Sequence, residues 1–87
     1  MEEVTVYATA ACPYCIRARM LLQQKGVLVQ EIRVDRDMTM RREMIQRSGG
    51  RTSVPQIFIG TLHIGGCDEL YALERAGRLD TLLSGDG

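Results

Sequence analysis

Two cysteines lie two residues apart, Cys12 and Cys15, inside "ATAACPYCIRARMLL" (8–22), where a β-like run gives way to a helical one. A thiolate, not a thiol, attacks a disulfide sulfur. A pair one helical turn apart can therefore form a mixed disulfide at one sulfur and resolve it with the other. Pro13 suits a first helical position, because its missing N–H would be unpaired there anyway. At about 100° per residue, Cys15, Ala18, Leu21 and Leu22 form one stripe, with Arg17, Arg19, Gln23 and Gln24 away from its centre. Cys15 thus begins the buried face, and Cys12 sits at the N-cap, on its lip. Unpaired amides and the positive end of the helix dipole favour an anion at Cys12, whereas Cys15 is harder to ionise. The plain alternative is a pair of buried structural cysteines. The strand–proline–helix setting favours a redox centre.

The elements that must position this pair are legible around it. "EVTVYA", from about residue 2 to just beyond 7, alternates and is rich in β-branched residues, with Val4 and Val6 on one face. The first helix runs from 13 to about 25, and Gly26 stops it. "VLVQEIRV" (27–34) reads as a second strand. Asp35 and Asp37 are cap candidates for a second helix to about residue 48, closed by Gly49 and Gly50. "PQIFIG" and "TLHIG" flank Gly60-Thr61, a tight two-residue turn. "CDELYALERAG" (67–77) is a third helix with Asp68 and Glu69 in its first turn, "RLDTLL" is a short apolar tail, and "SGDG" (84–87) is expected to fray. The βαβ start requires a parallel pair with a crossover helix. The expected fold is α/β, β-α-β-α-β-β-α, with one four-stranded mixed sheet and three main helices packed on both faces.

With 87 residues, the chain is expected to form a single domain, 1–87. Zero formal net charge argues against a nucleic-acid or anionic-membrane partner. An odd count of three cysteines points to a reducing compartment, hence a cytoplasmic protein. No apolar run approaches the ~20 residues of a membrane span. The acidic Met-Glu-Glu start and short apolar run argue against a secretory signal. Met40, Met44 and Ile45 are expected in the core, and Arg36, Arg41, Arg42 and Arg47 on a solvated face able to steer acidic partners. Ile57, Ile59, Leu62 and Ile64 should pack the sheet, with His63 facing the other way. A competing reading is a structural zinc module, because Cys12, Cys15, His63 and Cys67 spell C-x₂-C…H-x₃-C. Against it, zinc would consume the thiolates, and the paired cysteines open a proline-started helix.

"CPYC" (12–15), "SVPQIFI" (53–59) and "HIGGCDELYAL" (63–73) occur in the order found in glutaredoxins, and the chain closely resembles the small bacterial dithiol members over nearly its whole length. The resemblance implies a thioredoxin-like fold and a monomer that uses glutathione to reduce glutathionylated proteins and some protein disulfides, and that can supply enzymes such as ribonucleotide reductase. It makes Cys12 the nucleophile and Cys15 the resolving thiol, and places Tyr14 beside the glutathione groove. It implies a cis bond before Pro55, with the Val54 N–H and C=O pairing with the cysteinyl backbone as an added strand would. It also implies that Gly65 and Gly66 allow close approach, that amides of Cys67 and Asp68 hold the γ-glutamyl carboxylate, and that the Asp68 side chain holds the ammonium. As plain structure, Pro55 is a strand-opening proline, Asp68 a helix-start acid and Cys67 a small, partly buried residue. One departure is Thr9, where relatives commonly carry lysine. It implies weaker glutathione affinity or a less acidic Cys12, with Arg17, Gln46, Arg51 and Gln56 as other candidate carboxylate contacts. Some glutaredoxins bridge an iron–sulfur cluster between chains, but Pro13 argues against that reading. The lack of tryptophan argues against a thioredoxin proper.

Overall fold

A computed structural model describes residues 2–85. Four strands, β1 (Val4–Ala8), β2 (Val29–Arg33), β3 (Gln56–Ile59) and β4 (Leu62–Gly65), form one sheet in the order β2-β1-β3-β4. β1 runs parallel to β2 and antiparallel to β3, and β3 is antiparallel to β4. The helices are α1 (Pro13–Gln24), α2 (Met38–Arg47), α3 (Cys67–Arg75) and α4 (Leu79–Ser84). This is the expected mixed α/β sheet with helices on both faces. α4 forms where the sequence suggests only a short apolar tail. Leu79 and Leu83 are buried one turn apart, which is what folds those six residues against the core. Of the segment expected to fray, Ser84 closes α4 and Gly85 caps it. Residues 86–87 lie outside the described residues.

Side-chain alternation along the central strands creates two cores. Val4, Val6, Ala8, Ile57 and Ile59 face α1, α3 and α4, meeting Cys15, Ala18, Leu22, Leu70 and Leu79. Tyr7 and Phe58 point the other way, to Val34 and Met44. Met40 and Ile45 join this second core, as expected. β2 is an edge strand and starts two residues later than the sequence suggested. Leu28, expected within it, is 93% exposed. Leu62, expected to pack the sheet, is exposed at the first position of the other edge strand. The predicted hairpin is present: Ile59 pairs with Leu62 across Gly60-Thr61, and Gly60 takes the positive φ (59°) that the turn requires.

Helix ends follow local chemistry. Asp37, not Asp35, caps α2, accepting from the N–H groups of Thr39 and Met40. Arg47 is not simply solvated: its guanidinium lies 4.1 Å from the Phe58 ring centroid and donates to the Tyr7 hydroxyl, which itself donates to Glu43. No helix among the described residues is long and apolar enough to cross a membrane.

Met44 is the one fully covered side chain of α2, while Met38 is exposed at the start of the same helix. Met44→Ala should cost about 2–5 kcal/mol and Met38→Ala less than about 0.5 kcal/mol, as read from urea unfolding. Equal losses would mean that α2 is not anchored as described.

Candidate active site

Extended backbone at Cys12 (φ −131°, ψ 99°) ends the segment after β1 and makes this residue the N-cap of α1. Its sulfur accepts the Cys15 N–H at 3.1 Å, and its carbonyl accepts the Ile16 N–H at 3.1 Å. An amide with no partner inside the helix is thus aimed at the first sulfur. Cys12 and Cys15 are joined as a disulfide. Both are well covered, Cys12 keeping 7% of its surface and Cys15 1%. The lip is therefore narrower than the helix stripe implied, although the order of exposure is as expected. The turn before Cys12 is tethered too: Asp35 accepts the Ala10 N–H at 3.2 Å and pairs with Arg33 at 2.7 Å. The Arg33 guanidinium holds the Asp35 carboxyl far below the usual carboxylate range. The aspartate considered as a helix cap instead braces the cysteine loop.

Across from the pair, the Val54–Pro55 peptide is cis, and the Val54 carbonyl oxygen lies 4.0 Å from the Cys12 sulfur. An open groove of about 150 Å³ runs from there, lined by Tyr14, Arg51, Ser53, Val54, Pro55, Gly66, Cys67, Asp68 and Glu69. Six residues expected from the family resemblance, Tyr14, Val54, Pro55, Gly66, Cys67 and Asp68, meet here. Of the further candidates, only Arg51 lines the groove. Thr9 and Gln46 do not, and Arg17 lies 5.4 Å from the Tyr71 ring centroid. Gln56 is fully buried and its side chain is committed to Ser53 and His63, so it cannot contact a ligand as it stands.

The far end of the groove is the start of α3. Gly65 adopts φ 111°, which a side chain would strain. Glu69 accepts the Gly66 N–H at 2.7 Å and the Arg51 guanidinium at 3.1 Å. These contacts, the amide foremost, hold its carboxyl below the usual glutamate value. From the sequence alone, Glu69 reads only as a helix-start acid. Its position three residues after the cap was the missed signal. Burial pushes the Cys67 thiol up, away from easy ionisation.

The zinc reading fails on placement. His63 stacks on Phe58 at 4.9 Å and bonds Gln56 at 2.7 Å, on the side of the sheet away from the core that holds Cys12, Cys15 and Cys67. Desolvation, with Arg51 and Arg47 nearby, holds the imidazole below its ordinary value.

A glutaredoxin family model matches residues 4–64. The chain belongs to the glutaredoxin family. A glutaredoxin of Pseudomonas aeruginosa is 58% identical over 84 residues, covering 97% of this chain and 99% of the relative. Glutaredoxin 3 of Escherichia coli is 57% identical, covering 95% and 99%. Among solved structures, a buckwheat glutaredoxin–glutathione complex superposes with TM-score 0.87 at 32% identity, covering 99% of this chain and 80% of that one. A Brucella melitensis glutaredoxin does so with TM-score 0.82 at 52% identity, covering 95% and 89%. The fold is thioredoxin-like, and the chain is a thiol–disulfide oxidoreductase whose Cys12–Cys15 pair is the redox dithiol.

The Glu69 contacts also set a pH dependence. A carboxyl whose folded value is depressed adds stability above its unfolded value, and that stability is lost as pH falls through the folded one. Glu69→Gln should therefore lower stability at pH 7 by at most about 1 kcal/mol, since the pair is partly exposed. By pH 3 the difference from the unsubstituted protein should shrink, as urea midpoints at the two pH values would reveal. An undiminished difference would contradict the assignment.

Proposed function

We propose that this glutaredoxin uses glutathione to reduce glutathione mixed disulfides and protein disulfides, with Cys12 as nucleophile and Cys15 as resolving thiol. The observation that carries the reading is the amide-capped Cys12 sulfur standing 4.0 Å from the Val54 carbonyl at the head of the groove. In the reduced protein, the Cys12 thiolate attacks the glutathione sulfur of a mixed disulfide. A Cys12–glutathione bond forms, and the other partner leaves as a thiolate that takes up a proton. A second glutathione thiolate then attacks that glutathione sulfur, releasing glutathione disulfide and restoring the Cys12 thiolate. With a protein disulfide, Cys12 bonds one partner sulfur, and the other leaves as a thiolate that takes up a proton. Cys15 then gives up its proton and attacks the Cys12 sulfur, closing the Cys12–Cys15 bond and expelling the partner sulfur that Cys12 had held. Two glutathiones reopen the pair.

In this reading the Val54 N–H and C=O pair with the cysteinyl backbone of glutathione, and Tyr14 flanks it. The Cys67 and Asp68 amides at the start of α3 hold the γ-glutamyl carboxylate, while the Asp68 side chain meets the ammonium. Gly66 and Pro55 let the ligand backbone lie close. The Arg51–Glu69 pair beside Gly66 supports a place for Arg51 at the γ-glutamyl end rather than at the glycine carboxylate. With Thr9 where lysine is common, the glycine end is held more weakly. The protein partners are disulfide-bearing or glutathionylated cytoplasmic proteins, ribonucleotide reductase among the candidates.

The roles of the two sulfurs separate in a glutathione-coupled assay on a small glutathione mixed disulfide. Cys12→Ser should abolish turnover, and Cys15→Ser should leave much of it, because one thiol suffices for that substrate. The reverse pattern would overturn the assignment.

A further inference from the structure

Gln56 and His63 lie behind the groove rather than in it. Gln56 is 0% exposed, yet each end of its side-chain amide is occupied. Its Nε2 donates to the Ser53 carbonyl at 3.0 Å and the Ser53 hydroxyl at 3.2 Å, and its Oε1 lies 2.7 Å from His63 Nε2. The orientation is forced. A carbonyl only accepts, so the amide nitrogen must face Ser53 and the amide oxygen must face the imidazole. The proton of neutral His63 is therefore on Nε2. The ring itself is fixed by its stack on Phe58.

The Ser53 carbonyl and the Val54 N–H belong to one peptide plane. In a planar trans unit they point in opposite directions. Drawing the carbonyl inward to a buried amide turns the N–H outward, toward the groove that Ser53 and Val54 line. The loop is also pinned upstream, where the buried Ser48 hydroxyl lies 3.1 Å from the Arg51 carbonyl oxygen.

We propose that the chain His63–Gln56–Ser53 is a positioning relay that sets the peptide plane presenting the Val54 N–H to the cysteinyl backbone of a bound glutathione. This deepens the reading of the groove as a glutathione site and rests on it. None of the three side chains touches the reacting sulfurs. The relay therefore acts on how tightly the substrate is held, not on the sulfur chemistry. Removing the His63 donor leaves a buried Gln56 oxygen unpaired and frees the amide to turn away from Ser53.

The test uses the full chain and the mixed disulfide of glutathione with mercaptoethanol. His63→Phe keeps a flat ring over Phe58 but deletes the donor. His63→Gln restores a donor on a flexible side chain. Gln56→Leu removes both ends of the amide at similar volume. His63→Phe should raise KM about fivefold and Gln56→Leu about tenfold, with kcat within about twofold, the pattern of lost binding rather than lost chemistry. His63→Gln should bring KM back to within about twofold of the original. The rate at which iodoacetamide alkylates reduced Cys12 should be the same in every variant, which a general loosening of the active site would not allow. Unchanged KM in His63→Phe, or a fall in kcat and alkylation rate together, would overturn the relay. Failure of the unsubstituted protein to turn over this substrate would instead overturn the glutathione reading. Should Gln56→Leu not fold, the His63 pair on the edge strand still decides.

Discussion

The contact on which this molecule turns is a backbone amide pointed at a sulfur: the Cys15 N–H at 3.1 Å from Cys12 Sγ. The first turn of any helix has N–H groups without intrahelical partners, and its dipole is positive there. A cysteine at the cap converts that unsatisfied potential into a stabilised anion, with no charged side chain required. The sulfur that gains from the amide is the one with residual exposure, and Cys15, one turn on, is sealed into the core. Pro13 between them starts the helix without adding a competing donor.

The remaining architecture holds that geometry still. β1, covered on both faces, delivers the chain to the cysteine loop, and Asp35 at the end of β2 grips the loop through Ala10. The two central strands separate the helices of the sulfur-bearing core from α2, whose docking depends on Met44, Tyr7 and Phe58. β3 begins directly after the cis Val54–Pro55 peptide, so the strand register that pairs Tyr7 with Gln56 also fixes where Val54 stands against Cys12. Fold and site are thus coupled through one strand pair.

Most of this was readable from the residues because the signals are local. Pro13, Gly26, Asp37 and Gly60-Thr61 act on their immediate neighbours, and each element they bound is found within a residue or two. What escaped the sequence depends on long-range contact. Asp35 looked like a cap because its partners, Ala10 and Arg33, come together only when β1 and β2 pair. Gln56 resembled a ligand contact by type, yet its burial follows from being the first residue of a strand covered on both sides. Leu62 fits an alternating pattern, but an edge strand has too little neighbouring mass to cover it. α4 is too short to show a helical period and forms because Leu79 and Leu83 have a core to enter. The family resemblance, not periodicity, supplied the cis peptide and the groove residues.

The central claim is that peptide amides at the start of α1 suffice to keep Cys12 ionised near neutrality without a lysine at position 9. The most direct measurement is the pH dependence of iodoacetamide alkylation of Cys12 in the Cys15→Ser protein, where the residue-15 amide is retained and no other thiol competes at the helix start. The account predicts that Cys12 titrates well below an unperturbed cysteine. Titration near about 8.5, the value of an unperturbed cysteine, would contradict it.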